Sequence, residues 1–304
     1  MRTKHVHRLH PYLGKFIPQL VEVFLRKYFS PGDTILDPFA GSSTTLVQAN
    51  ELGMNSLGYD ISAFNILLGK VKTAEYDIPT LIRELNDILE RCIKITSTKI
   101  KKQQQELFIA EEFDYVKSDD EYLNNWFSPS ALTHLLIYRD LIEKSDYRYS
   151  DVMRVILSRS ARSARLTTHF DLDFPAKPQT EPYYCYKHRR VCTPVTDALQ
   201  FIKRYSIDTS KRISEFSSLR TSARVELYHQ DSRYAKFPLI DGAITSPPYI
   251  GLIDYHQQHE YAYHLLNLDD HRELEIGAAV NGSSNKAKFD YQNDISLVFK
   301  NVMT

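Results

Sequence analysis

The sequence predicts an α/β protein: a parallel sheet of short strands interrupted by a largely helical insert. Three observations carry this expectation. Residues 34–60 run strand, small-residue loop, helix, strand. Two further strand signals, at 224–232 and 243–244, follow only after a long interval. That interval is dominated by apolar residues at three- and four-residue spacing, the helical period.

In chain order, residues 10–29 begin with turn chemistry and become a helix. Pro18 suits a first helical turn, and Leu20, Val21, Phe24, Leu25 and Phe29 give one apolar face. Ser30-Pro31-Gly32-Asp33 is a turn. Thr34-Ile35-Leu36 is a short strand, followed by the small-residue loop Asp37-Pro38-Phe39-Ala40-Gly41-Ser42-Ser43-Thr44-Thr45. Leu46, Val47, Ala49 and Leu52 continue as a helix that ends at Gly53. Asn55 to Asp60 is a second strand ending in an acid. Asp60 lies 19 residues past Gly41, close to the roughly 20-residue spacing at which an acid meets ribose hydroxyls in nucleotide-binding sheets. A plain βαβ crossover without a ligand has the same outline.

The insert, about residues 63–222, has a helix at 79–95 on Leu81, Ile82, Leu85, Ile88, Leu89, Cys92 and Ile93, then a polar run from Lys99 to Glu106 read as a solvated helix face or loop. Leu132–Ile142 and Val152–Leu166 also read as helices. Arg154, Arg159, Arg162 and Arg165 fall within about 140° of one another at the helical period. That is a basic stripe for phosphates or a salt-bridged face. Residues 167–194 read as a loop in which aromatics alternate with Lys177, Lys187, Arg189 and Arg190, the composition of a nucleic-acid contact. Cys185, His188 and Cys192 suggest a metal. They are only three ligands, without a second Cys/His pair at zinc spacing, so no metal is expected.

Arg224 to Ser232 alternates apolar and polar residues and ends at Asp231-Ser232. Ala243-Ile244 then leads into Thr245-Ser246-Pro247-Pro248-Tyr249. Two prolines lack N–H groups and fix φ near −65°, so they hold Ser246 in one orientation beside the Tyr249 ring. Rigid acceptors beside a flat ring suit an amino group on a planar heterocycle. A proline-rich turn with a half-buried tyrosine is the plainer account. Four strand ends on one edge of a parallel sheet would make a single crevice, where open α/β sheets bind ligands.

Composition narrows the class. At 304 residues, one large or two modest domains are expected. Lys+Arg and Asp+Glu both count 38, so any basic surface must be local. There is no apolar run long enough for a transmembrane helix, and the N-terminus lacks the apolar core of a signal peptide. Three cysteines cannot make a disulfide framework and fit a reducing cytoplasm. The 20 tyrosines supply base-stacking rings as readily as core residues.

Asp37-Pro-Phe-Ala-Gly-Ser-Ser-Thr-Thr45 resembles the S-adenosylmethionine motif of the amino-group DNA methyltransferases, and Thr245-Ser-Pro-Pro-Tyr249 resembles their catalytic motif. His10-Pro11-Tyr12 to Phe16-Ile17-Pro18 looks like the family's N-terminal cofactor-side motif, and Tyr249 to Tyr255 like the continuation in one branch. The resemblance covers about residues 8–70 and 223–265.

It implies a Rossmann-like S-adenosylmethionine-dependent methyltransferase sheet. The cofactor-binding half would be residues 1–62, the target-recognition insert 63–222 and the catalytic half 223–304. Asp37, Phe39, Gly41, Ser42 and Thr44 would bind the methionine end of the cofactor, Asp60 its ribose, and Asp231 and Ser232 its adenine. Ser246 and the Pro247 carbonyl would accept hydrogen bonds from the target amine, with Pro248 fixing the corner and Tyr249 stacking on a base flipped from the duplex. Arg159, Arg162, Lys187, Arg189 and Arg190 are the expected DNA contacts. The Ser-first motif is more typical of cytosine N4 than adenine N6 enzymes. Cys92, Cys185 and Cys192 all lie in the insert, away from strand ends, which rejects a C5-cytosine route through a thiolate. An RNA amino-methyltransferase uses the same fold, but no RNA-binding appendage is recognisable.

The resemblance has two departures. Ser43 stands where the family usually has Gly. Only 55 residues follow Tyr249, and a full sheet needs roughly three more strands. A polar loop is expected at 279–288 and a helix at 294–302. The last strands are therefore expected to be missing, through truncation or a split enzyme completed by a second polypeptide. Double-stranded DNA and a cognate restriction nuclease are the other implied partners.

Overall fold

The computed structural model describes residues 4–106, 116, 118–279, 282 and 284–303. After a short 3-10 turn at His5–Arg8, the elements are α1 (Pro18–Tyr28), β1 (Thr34–Asp37), α2 (Thr44–Glu51), β2 (Asn55–Asp60) and α3 (Ala63–Thr73). Then come α4 (Ile78–Glu106), α5 (Glu121–Trp126), α6 (Pro129–Glu143), α7 (Ser150–Ala164), β3 (Tyr183–Cys185), β4 (Arg190–Cys192) and α8 (Leu199–Ser217). The chain finishes with β5 (Val225–His229), β6 (Gly242–Ala243), α9 (Tyr255–Gln258), α10 (Glu260–Leu266) and α11 (Asn285–Val302).

The main sheet is parallel, in the order β5-β2-β1-β6. Thr34 pairs with Asn55, Ser56 with Val225, and Ile35 with Gly242. The chain thus builds outward from β1 through β2 to β5, then returns to the other side of β1 as β6. That reversal is a topological switch point between β1 and β6, where such sheets open a crevice at the strands' carboxyl ends. The alternation of β1 feeds both faces. Ile35 packs with Val21, Leu25, Ala49 and Met54, while Leu36 packs with Leu57, Tyr59 and Ala235.

The chain divides into two units. Residues 1–76, 211–258 and 268–304 hold the main sheet, and residues 77–210 with 259–267 form the other unit. These bounds differ from the expected 62/63 and 222/223. The reason in the sheet unit is α3, whose Phe64, Leu68 and Val71 are buried and whose Gly69 lies under Leu227 of β5. In the second unit, α4 buries Leu81, Leu85, Ile88 and Cys92, and α6 and α7 bury Leu132, Leu135, Tyr138, Val152, Val155 and Ile156. Ile82 and Ile93, expected on the same apolar face of α4, are exposed.

Other departures are local. The polar run after residue 98 continues α4 as helix to Glu106. The expected 167–194 loop contains the antiparallel β3–β4 hairpin. α3, α5 and α8 are helices that the periodicity did not single out. The expected 279–288 loop is cut short by α11, whose Ser284 accepts a capping bond from Ala287 N at 3.1 Å. On α1, Leu20 and Phe24 stay exposed beside Ile17, Val23 and Tyr28. Among the described residues, no helix is long and apolar enough to cross a membrane.

Ser43 resolves the departure from glycine noted above. It caps α2 with a left-handed backbone, φ 58°, a conformation that costs most residues roughly 1–2 kcal/mol. Its buried hydroxyl sits over Gly69, where an added Cβ would come 2.4 Å from Ser43 Oγ and 2.8 Å from Leu227 Cδ1. The larger residue in the loop is accommodated by the smallest one in α3. Gly69→Ala is expected to lower stability by about 1–3 kcal/mol, and Ser43→Gly to recover part of that loss. Denaturant unfolding of both single variants and the double variant measures the coupling.

Candidate active site

A cavity of about 830 Å³, its open mouth included, lies at the carboxyl ends of the strands. Its lining includes Asp37, Phe39, Gly41, Ser42 and Thr44 from the loop after β1, Asp60 from β2, Asp231 and Ser232 after β5, and Ser246 and Pro248 after β6. The structure therefore brings together both sequence motifs and the acid of β2. Pro247 and Tyr249 are not among its lining residues. The Tyr249 side chain is 46% exposed beside the cavity segment, close to Gly14.

Each motif residue is held by a bond that explains its type. Asp37 ends β1 and is buried. Its Oδ1 accepts from Phe39 N at 3.2 Å and from Thr245 Oγ1 at 2.6 Å. This bond ties the loop after β1 to the residue preceding Ser246. Burial pushes the Asp37 carboxyl up to about 6, against the Thr245 bond that pulls it down. Asp60 Oδ2 accepts from Gly41 N at 2.7 Å, while Oδ1 accepts from Ser62 N at 2.8 Å and Asn65 Nδ2 at 3.1 Å. Burial raises the Asp60 carboxyl, and these donors oppose the rise. Gly41, at φ 46°, lets the loop turn so that its N–H meets Asp60. Ser232 Oγ donates to the Pro38 carbonyl at 2.6 Å. Asp231 is paired with Arg233, which also reaches Asp294 of α11 at 3.0 Å.

Residues that neither motif announced line the cavity or brace its loop from behind. Lys72 of α3 is 1% exposed and donates to the Ser42 carbonyl at 2.6 Å. Burial holds its ammonium well below the ordinary lysine range. Asn65 joins Asp60 to the Tyr12 hydroxyl, 3.2 Å away. Glu275 accepts from Tyr255 N at 2.9 Å and lies 3.0 Å from His256 Nδ1. Tyr12 stacks on Tyr255 with ring centroids 5.8 Å apart. Tyr12 and Tyr255 fall in segments singled out in the sequence. Lys72 carried no signal, since a lysine in an apolar-patterned helix reads as solvated.

The basic residues expected at DNA sort differently within the second unit. Arg159 pairs with Asp208 at 2.6 Å and lies over the Tyr205 ring, and Arg162 pairs with Asp173 at 2.7 Å. Arg165 is buried, donates to the Leu172 carbonyl and lies over Tyr261. The stripe on α7 thus ties the unit together. Lys187, Arg189 and Arg190 are exposed on the β3–β4 hairpin. Cys185 and Cys192 are buried there as free thiols, and His169, absent from the sequence-based ligand count, stands with them and His188.

A parallel sheet with a switch point beside its first strand, acids ending two neighbouring strands and a proline-fixed loop over the same cavity make the crevice in which open α/β sheets take up ligands. A family model described as DNA methylase, of the N6/N4 class, matches residues 3–69. The Type II methyltransferase M.MjaII of Methanocaldococcus jannaschii is 40% identical over 369 residues, an alignment covering 99% of this chain and 70% of that protein. M.BsoBI of Geobacillus stearothermophilus is 26% identical, with 97% of this chain and 60% of that protein covered. M.MvaI of Kocuria varians is 27% identical over 45% of this chain and 29% of that protein. No solved structure matches at a significant level. The chain belongs to the DNA methylase family of N6/N4 amino-methyltransferases.

The Asp37 carboxyl makes a pH-dependent prediction. Its folded value, about 6, lies above its ordinary value of 3.8. Its contribution to stability is therefore fully present below about pH 4 and is lost as pH rises through about 6, a swing on the order of 3 kcal/mol. Asp37→Asn, which keeps an acceptor for Thr245 and Phe39, should match the parent near pH 4 and exceed it in stability at pH 7. Urea midpoints at the two pH values test this.

Proposed function

We propose that this chain carries the cofactor site and catalytic loop of a Type II DNA methyltransferase of a restriction–modification system, acting on cytosine N4. The observation that carries the reading is the Thr245–Asp37 bond, which holds the Ser246-Pro247-Pro248-Tyr249 loop over the cofactor-side loop. S-adenosylmethionine fits the residues present. Asp60 Oδ2 bears one protein bond, from Gly41 N, and a carboxylate oxygen has a further lone pair for a ribose hydroxyl. Asp37, Phe39, Gly41, Ser42 and Thr44 would hold the methionine end, and Asp231 and Ser232 would border the adenine. When bound, the cofactor supplies an electrophilic methyl group.

The chain's own task is to make a weak amine nucleophilic. An exocyclic amine shares its lone pair with the ring. Ser246 Oγ and the Pro247 carbonyl, fixed by two prolines, accept its hydrogens and draw the lone pair out of conjugation. One of those protons leaves to solvent as the N–C bond forms. Tyr249, exposed beside the cavity, stacks on the base once it has left the duplex. Lys187, Arg189 and Arg190 supply phosphate contacts, and residues 77–210 read the target.

A second reading rests on two exposed features of the sheet unit. β6 is an edge of the described sheet, and α1 presents an outward row of Ile17, Leu20, Val23 and Phe24. An open edge beside an apolar helix face suits completion by further strands, supplied by a second polypeptide. On this reading the chain binds cofactor but transfers methyl groups only with that partner.

Incubation with labelled S-adenosylmethionine and unmethylated DNA, followed by digestion to nucleosides, is expected to place label in N4-methylcytosine. Label in N6-methyladenine would overturn the choice of base. Cofactor binding without label would favour the split enzyme. Ser246→Ala should lower transfer on the order of 10–100-fold with cofactor binding kept. Tyr249→Ala should weaken binding of the DNA target by a similar factor.

A further inference from the structure

The β3–β4 hairpin carries a side-chain cluster with no part in methyl transfer. Cys185 pairs with Arg190 and Tyr183 with Cys192 across the hairpin. Residues 186–189 turn between the strands, with His188 N donating to the Cys185 carbonyl at 3.2 Å and Arg189 left-handed at φ 53°. The turn gathers Cys185, His188 and Cys192, spaced Cys-x2-His-x3-Cys. His169 joins them from the preceding segment. One ligand atom from each of the four lies within 4.8 Å of all the others.

The detailed spacings match one ion at the centre. Cys185 Sγ lies 3.5 Å from His169 Nδ1, and Cys192 Sγ lies 3.5 Å from His188 Nδ1. Zinc takes sulfur at about 2.3 Å and nitrogen at about 2.0–2.1 Å, so a tetrahedral site separates S from N by about 3.6 Å. The donor set is also right for zinc, two soft thiolates and two imidazoles. Four protein ligands close the coordination, which marks a structural site rather than a catalytic one. The Tyr183 hydroxyl accepts from the His169 backbone N at 3.0 Å and holds that residue beside the hairpin, while its 2.7 Å contact with Nδ1 is the one that an ion would replace.

We propose that His169, Cys185, His188 and Cys192 bind one structural Zn²⁺ ion that holds residues 167–194 in their folded course. Arg162 and Arg165 hold the start of this segment at Asp173 and Leu172, but the hairpin itself has little else to order it. Tyr184, Tyr186 and Val191 are exposed, and β3 and β4 have three residues each. A two-stranded hairpin of that size is marginal in water without a staple. The site does not depend on the base that is methylated or on catalysis by this chain.

The test is elemental analysis of the full chain purified without chelator, with cobalt exchange as a second measure. About one zinc per chain is expected. Cobalt should give the visible absorption of a tetrahedral thiolate site. Cys185→Ser and His188→Ala should each cut bound zinc at least tenfold, and Cys92→Ala should leave it unchanged. His188 is exposed, so its variant keeps the fold, as circular dichroism will check. Removing the metal should speed tryptic cleavage at Lys187, Arg189 and Arg190 at least tenfold. A chain that binds neither zinc nor tetrahedral cobalt would overturn the proposal. A Cys185–Cys192 disulfide in the fresh protein, or cleavage unchanged by metal removal, would overturn it as well.

Discussion

The buried carboxyl of Asp37 is the constraint on which the sheet unit depends. It ends β1 where solvent cannot reach it, and burying it raises its pKa toward neutrality. In return it fixes the backbone at Phe39 and the hydroxyl of Thr245. The loop between is held at three further points: Ser232 at the Pro38 carbonyl, Asp60 at Gly41 N and Lys72 at the Ser42 carbonyl. A loop gripped from four elements has little freedom left to lose when a ligand arrives. That is the condition under which binding and positioning become efficient.

The same logic of internal ties explains the second unit's arginines. A helix bearing Arg154, Arg159, Arg162 and Arg165 looks from its period like a surface for phosphates. Each of the four instead meets a partner within the unit: Asp151, Asp208, Asp173 and the Leu172 carbonyl. Arg165 and Tyr261 share a buried cation–π contact. Lys187, Arg189 and Arg190, by contrast, are exposed on the short hairpin.

The strand ends were legible because short apolar runs stop at residues that only a site would place there: Asp37, Asp60 and the Ser-Pro-Pro-Tyr corner. Those ends gave the strands in chain order, but the sheet order β5-β2-β1-β6 could not be read from them. What stayed hidden was set by tertiary context. Lys72 is a solvated residue by every local rule, and only the loop above it reveals why it is buried. Ser43 read as an anomaly until Gly69 was seen beneath it. His169 lies 16 residues from Cys185 and lacks the second ligand a few residues away that marks half of a zinc site, and the polar run from Lys99 to Glu106 left helix face and loop both open. No element was assigned to α8 from the sequence; the helix follows directly on the proline-rich 167–194 stretch.

The bond between Asp37 and Thr245 spans 208 residues of chain, and the pairing of β1 with β6 spans about as many. Synthesis proceeds at about 5–20 residues per second. Some 10–40 s therefore separate the appearance of β1 from that of its later neighbour. During that time one side of β1 is an unpaired strand edge, and the Asp37 carboxyl stands without its hydroxyl donor. The nascent protein would hold β1, α2 and β2 as an unfinished sheet while residues 77–210 are made, and that second unit in turn waits for residues 259–267. Its exposure to misassembly is thus greatest midway through translation, and that side of β1 stays uncovered until β6 emerges to pair with it.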